Sequence, residues 1–116
     1  MYQPGLHIIA TLATQNNKLI QRFGAFQSKI HDLIAFHQLT NLGEVFHQFE
    51  PNGYTAVVCL SESHISIHTW PEYEKVNLDI YLSNYKQVNN GIVETLFNEL
   101  VLFFEASIVH RENIIR

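Results

Sequence analysis

Cysteine is all but missing from this chain. Cys59 stands alone among 116 residues, so no disulfide can form within one molecule. A single thiol suits a reducing compartment, and a cytoplasmic location is expected. Positive charge is also sparse. Lys and Arg number 7, they form no run, and the net charge is −4. Nothing resembles the basic stripe of a nucleic-acid binder, so no nucleic-acid partner is expected. Long apolar runs are absent too, which excludes a membrane-spanning helix. The opening Met1-Tyr2-Gln3-Pro4-Gly5 lacks a basic segment followed by an apolar one, so no secretory signal is expected. What remains is ample for a core: 47% apolar residues in a chain long enough for one domain and too short for two.

The periodicities alternate between two and about 3.6. His7-Ile8-Ile9-Ala10-Thr11-Leu12 predicts a first strand within Gly5–Ala13. From Asn17 to about Leu39 the period becomes helical, with Leu19, Ile20, Phe23, Phe26, Ile30, Leu33 and Ile34 on one face. Gly24 weakens that helix slightly, and Asn16 or Asn17 can cap it. Glu44–Phe49 alternates, Pro51-Asn52-Gly53 marks a turn, and Tyr54–Leu60 completes a hairpin. Ile65 and Ile67 alternate with His64, Ser66 and His68 in a further strand that Pro71 stops. Val76, Leu78, Ile80 and Leu82 mark another. Asn89-Asn90-Gly91 opens a second helix with Ile92, Val93, Leu96, Phe97, Leu100 and Phe103 on its apolar face. Ser107–Ile115 reads as the last strand. The predicted fold is α+β: one domain, a largely antiparallel sheet, and two helices packed on one face.

One stretch is polar where a small domain should be apolar. Leu60-Ser61-Glu62-Ser63-His64-Ile65-Ser66-Ile67-His68-Thr69-Trp70-Pro71-Glu72-Tyr73 concentrates three serines, two histidines and two glutamates. A Glu-Ser bond flanked by histidines permits serine attack on the preceding carbonyl. That chemistry needs a nucleophilic hydroxyl, a base and donors for the oxyanion. Ser63 could attack, His68 could take the proton, and Thr55 could support with its hydroxyl. A second reading makes His64, Ser66 and His68 a metal site, but no third protein ligand stands out, so no metal is expected. A third reading is an exposed polar strand face without chemistry.

The segment Glu62–Glu72 resembles the processing site of the prokaryotic S-adenosylmethionine decarboxylases, pyruvoyl enzymes of polyamine synthesis. The likeness extends to Gly5-Leu6-His7-Ile8-Ile9-Ala10, to Phe46-His47-Gln48-Phe49-Glu50-Pro51-Asn52-Gly53 and to Asp79-Ile80-Tyr81. The resemblance implies that Ser63 attacks Glu62 and that elimination cleaves the chain between 62 and 63. A β subunit of residues 1–62 and an α subunit of 63–116 would result, with a pyruvoyl group derived from Ser63 as the cofactor. It implies that His68 serves as base, with Thr55 in place of a serine. It implies a substrate amine bound to the pyruvoyl carbonyl, ribose hydroxyls held by Glu72, and Phe49 against the adenine or sulfonium region. A carboxylate accepts two such hydrogen bonds, and an aromatic face attracts a cation. A lone Phe more often packs in a core. The family fold is a sandwich, and the resemblance implies a homodimer of processed protomers acting on a small-molecule substrate.

One departure bears on activity. The family's proton-donor cysteine corresponds to Ser83, and a hydroxyl is a far weaker acid than a thiol of pKa about 8.5. Asn84-Tyr85 replaces a Gly-rich turn. Cys59 does not replace the donor and is expected to be a small buried side chain. Three functions follow: a decarboxylase of S-adenosylmethionine with another proton donor, a relative shifted to arginine or ornithine, or a noncatalytic modulatory subunit.

Overall fold

The computed structural model describes residues 2–116; Met1, at the head of the N-terminal segment read above, lies outside them. Strand β1 (Leu6–Ala13) leads into helices α1 (Asn17–Gln21) and α2 (Phe23–Phe36). Strands β2 (Asn41–Gln48), β3 (Tyr54–Leu60), β4 (Ser63–Trp70) and β5 (Lys75–Leu82) follow, then helix α3 (Asn90–Phe103) and strand β6 (Ser107–Ile115). The six strands form one sheet in the order β2-β3-β4-β5-β1-β6, and every neighbouring pair is antiparallel.

The alternation read from the sequence decides which side is covered. Ile8, Ala10 and Leu12 of β1, Ala56 and Val58 of β3, Ile65 and Ile67 of β4, and Val76, Leu78 and Ile80 of β5 face one way. They form a single core with Ile20 of α1, Phe23, Phe26, Ile30, Leu33 and Ile34 of α2, and Val93, Leu96, Phe97 and Leu100 of α3. Burying one such large side chain contributes about 1.5–3 kcal/mol, so this layer dominates stability. Among the described residues, no helix lies on the opposite sheet face. It carries exposed Val45 and Val57 beside the polar residues of β4 and β5.

The first helical segment differs from expectation. It is two helices, because the backbone is extended at Arg22. Gln48 of β2 enters the gap. Its Oε1 accepts from the Phe23 N–H at 3.0 Å, and its Nε2 donates to the Gln21 carbonyl at 2.7 Å. Two of the backbone groups freed by the break, one on each side, are thereby satisfied. Gly53 N–H adds a second donor to the Gln21 carbonyl. The break lies two residues before Gly24. Asn16 takes the N-cap position of α1 without a side-chain cap bond. Helix α2 stops at Phe36, short of the Leu39 expected from the period, and β2 begins at Asn41.

Glu44 ties β2 to α2. It accepts from His31 Nε2 at 2.6 Å, Gln27 Nε2 at 2.7 Å and Asn41 Nδ2 at 3.3 Å. Burial pushes its carboxyl pKa up, but these three bonds outweigh burial and hold it below the usual carboxylate range. A depressed folded pKa contributes stability that is complete above the unfolded value of about 4.3 and is lost as pH falls through the folded one. Glu44→Gln is therefore expected to lower unfolding free energy by about 1 kcal/mol at pH 7, in urea titrations, with the difference shrinking below pH ~4.

Candidate active site

Strands β3 and β4 are joined by two residues only, Ser61 and Glu62, with Leu60 opposite Ser63. Tight hairpins of this length ordinarily place positive φ within the turn, to match strand twist. Neither Ser61 nor Glu62 has positive φ; Ser63 does, at 155°. That region is sparsely populated by residues with a Cβ and costs on the order of 1–3 kcal/mol. Strain thus falls on the residue that contributes the nitrogen of the Glu62–Ser63 bond. The turn is pinned on both sides. Ser61 N–H donates to the Thr40 carbonyl at 3.0 Å, and Thr40 N–H donates to the Glu62 carboxylate at 3.2 Å. On the β5 side, Ser83 N–H donates to the Glu62 carbonyl at 2.7 Å. This carbonyl is the one that Ser63 would attack, so a backbone donor already sits where an oxyanion would form. In the sequence Ser83 stands out through its side chain; a backbone N–H carries no signal there.

Thr55, His68, Phe49 and Glu72 gather elsewhere. All four line a cavity of about 630 Å³ between the Phe49–Tyr54 loop and the His68–Glu72 end of β4. That volume is in the range of small-molecule sites. Thr55 and His68 are directly opposed in the β3–β4 ladder, and Thr55 Oγ1 shares a short hydrogen bond with His68 Nδ1. The bond orients the imidazole. Phe49 is 45% exposed, not packed in the core, and the His47 ring stands edge-on to it at 4.7 Å. His47 was not singled out in the sequence. Trp70 borders the same cavity and is oriented by a 2.7 Å bond from its indole N–H to Asn77 Oδ1. Glu72 lies in a single 3₁₀ turn, Pro71–Tyr73, where Pro71 ends the strand.

These two groups occupy opposite ends of β4. Ser63 is its first residue and His68 lies five positions further, which in an extended strand is roughly 17 Å. Within one chain His68 therefore lies out of reach of Ser63. Cys59 also departs from expectation. It is exposed, because the alternation of β3 turns it to the open face opposite His64.

A third cluster lies near the Ser63 end. One ligand atom each of His7, His64 and Asp79 lie within 4.8 Å of one another, the grouping of this kind found among the described residues. His64 came from the sequence as a metal candidate with Ser66 and His68; its actual neighbours come from β1 and β5. His7 is 5% exposed, and burial pushes its pKa below the ordinary value; Asp79 opposes this, while His64 and Arg116 reinforce it. Arg116 Nη1 lies 3.4 Å from His7 Nδ1. A guanidinium only donates, so the neutral ring carries its proton on Nε2, which faces Asp79 at 3.7 Å. In this tautomer the ring would have to move its proton to Nδ1, beside the Arg116 guanidinium, before Nε2 could bind a metal.

A strained serine turn with a backbone donor on the preceding carbonyl lies at one end of β4, and a carboxylate-bearing cavity of small-molecule size lies at the other. The family model for S-adenosylmethionine decarboxylase matches residues 6–116, and the chain belongs to that family. It is 46% identical to the S-adenosylmethionine decarboxylase proenzyme of Archaeoglobus fulgidus over 77 residues, 66% of this chain and 69% of that protein. It is 38% identical to the proenzyme of Thermoplasma volcanium over 96 residues, 83% of this chain and 74% of that one. The crystal structure of the adenosylmethionine decarboxylase from Aquifex aeolicus superposes with a TM-score of 0.79 at 26% identity, covering 100% of this chain and 91% of that one. The antiparallel sheet with helices on one face is therefore the family fold.

Proposed function

We propose that this chain is the precursor of a pyruvoyl-dependent S-adenosylmethionine decarboxylase, that it cleaves itself between Glu62 and Ser63, and that two copies complete each active site. The observation that carries the reading is the Ser83 N–H on the Glu62 carbonyl at 2.7 Å, beside a serine with φ of 155°. The relatives named as proenzymes support it.

Ser63 Oγ attacks the Glu62 carbonyl carbon, and the oxygen takes negative charge against the Ser83 N–H. The C–N bond then breaks, the freed nitrogen takes the hydroxyl proton, and an ester replaces the amide. Relief of the strained backbone at Ser63 favours this direction. A base removes the Ser63 α-proton, and the Glu62 carboxylate leaves. The resulting dehydroalanine takes up water and loses ammonia, which leaves a pyruvoyl group at position 63. The residues at this turn fit the group, since its only precursor is Ser63 and its release needs only the Glu62 bond to break. When formed, it supplies the electron sink for loss of carbon dioxide.

His68 acts as the base for the partner's Ser63 rather than its own, because the strand separates them within one chain. The open sheet face supports pairing: Val45 is 78% exposed and Val57 46% exposed, with no element among the described residues covering them. In the cavity, Glu72 accepts hydrogen bonds from the ribose hydroxyls of the substrate, and the exposed face of Phe49 meets its sulfonium charge.

Intact mass of freshly purified protein tests the reading. Two fragments are expected, residues 1–62 and 63–116, the second lighter by one ammonia than a serine-started fragment. Carbon dioxide release should follow S-adenosylmethionine and not arginine or ornithine. A chain that stays whole after long incubation overturns the pyruvoyl reading. Release from arginine or ornithine alone overturns the substrate.

A further inference from the structure

The Ser83 N–H is held in place by a set of buried asparagines that the proposed chemistry does not otherwise use. Asn89 is 2% exposed and Asn84 7%. Asn89 Nδ2 donates to the Ser83 carbonyl at 2.8 Å, and Gln87 Nε2 donates to Asn89 Oδ1 at 3.0 Å. Asn84 Oδ1 accepts the Asn89 backbone N–H at 2.7 Å. Asn84 Nδ2 donates to the Pro4 carbonyl at 2.9 Å and to Asn90 Oδ1 at 3.2 Å. Asn90 Oδ1 in turn accepts the Leu6 N–H at 3.1 Å, which anchors the set to β1.

Two features separate this arrangement from ordinary loop packing. Asn89 occupies the N-cap position of α3, where its side chain would normally accept a helix N–H; it makes no such bond. It turns back to Ser83 instead. On the other side, a Cβ on Gly5 would lie 2.3 Å from the Leu82 carbonyl oxygen, so the backbone of Gly5 presses against the Leu82–Ser83 peptide. That peptide unit is clamped by Gly5 at one end and by Asn89 at the next carbonyl. Its N–H is the donor aimed at Glu62.

We infer that Asn89 and Asn84 are positioning residues for self-cleavage, holding the Leu82–Ser83 peptide so that its N–H stays on the Glu62 oxygen as negative charge develops there. The inference rests on the self-cleavage proposed above. A fixed donor needs no reorganisation when the charge appears, and removing a direct oxyanion donor slows reactions by about 10²–10³-fold. Loosening the support of such a donor slows the acyl shift and leaves the later elimination alone.

Asn89→Asp keeps the side-chain shape but replaces the donor to the Ser83 carbonyl with a carboxylate oxygen. Freshly translated Asn89→Asp precursor is expected to cleave about tenfold or more slowly than the unaltered chain. No ester accumulates, so hydroxylamine, which cleaves esters and spares amides, does not restore cleavage. In a Ser63→Ala background, which cannot cleave, the Ser83 amide proton is expected to move upfield on adding Asn89→Asp, and its exchange with solvent to accelerate about tenfold or more. Cleavage at the unaltered rate overturns the inference, as does slow cleavage that hydroxylamine restores. If Asn89→Asp does not unfold cooperatively, Asn84→Asp, which loses the donors to Pro4 and Asn90, decides by the same measurements. An unaltered chain that never cleaves overturns the self-cleavage itself, whereas cleavage that proceeds equally in both overturns only the role of the asparagines.

Discussion

Mixing Ser63→Ala chains with His68→Ala chains restores a cleavage that neither shows alone. The expectation follows from strand geometry. Ser63 begins β4 and His68 lies five residues along it, roughly 17 Å away in an extended conformation. No side chain spans that gap, and a proton transfer requires about 3 Å. A Ser63→Ala dimer lacks the nucleophile at both sites. A His68→Ala dimer lacks the base at both. A mixed dimer carries one intact site, with Ser63 from one chain and His68 from the other. Random exchange makes half the dimers mixed, so cleavage of about a quarter of all sites is expected on coexpression or joint refolding. Gels and decarboxylation assays read it out. Mixed dimers that form, as seen by native mass spectrometry, yet stay whole would refute the shared site.

Replacing Ser83 by cysteine is expected to raise decarboxylation about tenfold or more while leaving self-cleavage unchanged. The two halves of this result have different causes. In cleavage the useful group of residue 83 is its backbone N–H, 2.7 Å from the Glu62 carbonyl, which either side chain retains. In decarboxylation a proton must reach the substrate carbon that lost carbon dioxide. A thiol of pKa about 8.5 releases a proton far more readily than a serine hydroxyl, and a positioned acid is worth about 10²–10⁴-fold. Register supports the location: Ser63 pairs with Leu82, so residue 83 lies just beyond the reacting serine. Parallel measurement of cleavage half-time and kcat separates the effects. An unchanged kcat would show that proton donation occurs elsewhere.

The fold was largely legible because its signals are local. Alternation in Val76–Leu82 and Tyr54–Leu60 marked strands, and the apolar stripes of α2 and α3 became the core with little revision. The α1–α2 break was not legible, since it depends on Gln48, a side chain 26 positions beyond Arg22 that satisfies both sides of the gap. The same distinction holds in the site. Phe49 read more readily as a core residue than as a cavity wall, because burial of a lone aromatic depends on what the rest of the chain places over it. Cys59 read as buried, yet strand phase turned it outward.

By itself the sequence determined the inventory: the Glu62-Ser63 junction, the imidazole and hydroxyl of His68 and Thr55, the carboxylate of Glu72, and the strands that carry them. Residue identity specifies which bonds can be attacked and which groups can move protons. The tertiary structure alone decided their distribution, because distance along an extended strand and contact across a sheet depend on pairing. It set Ser63 apart from His68, brought His7 and Asp79 to His64, and aimed the backbone of Ser83 at the carbonyl of Glu62.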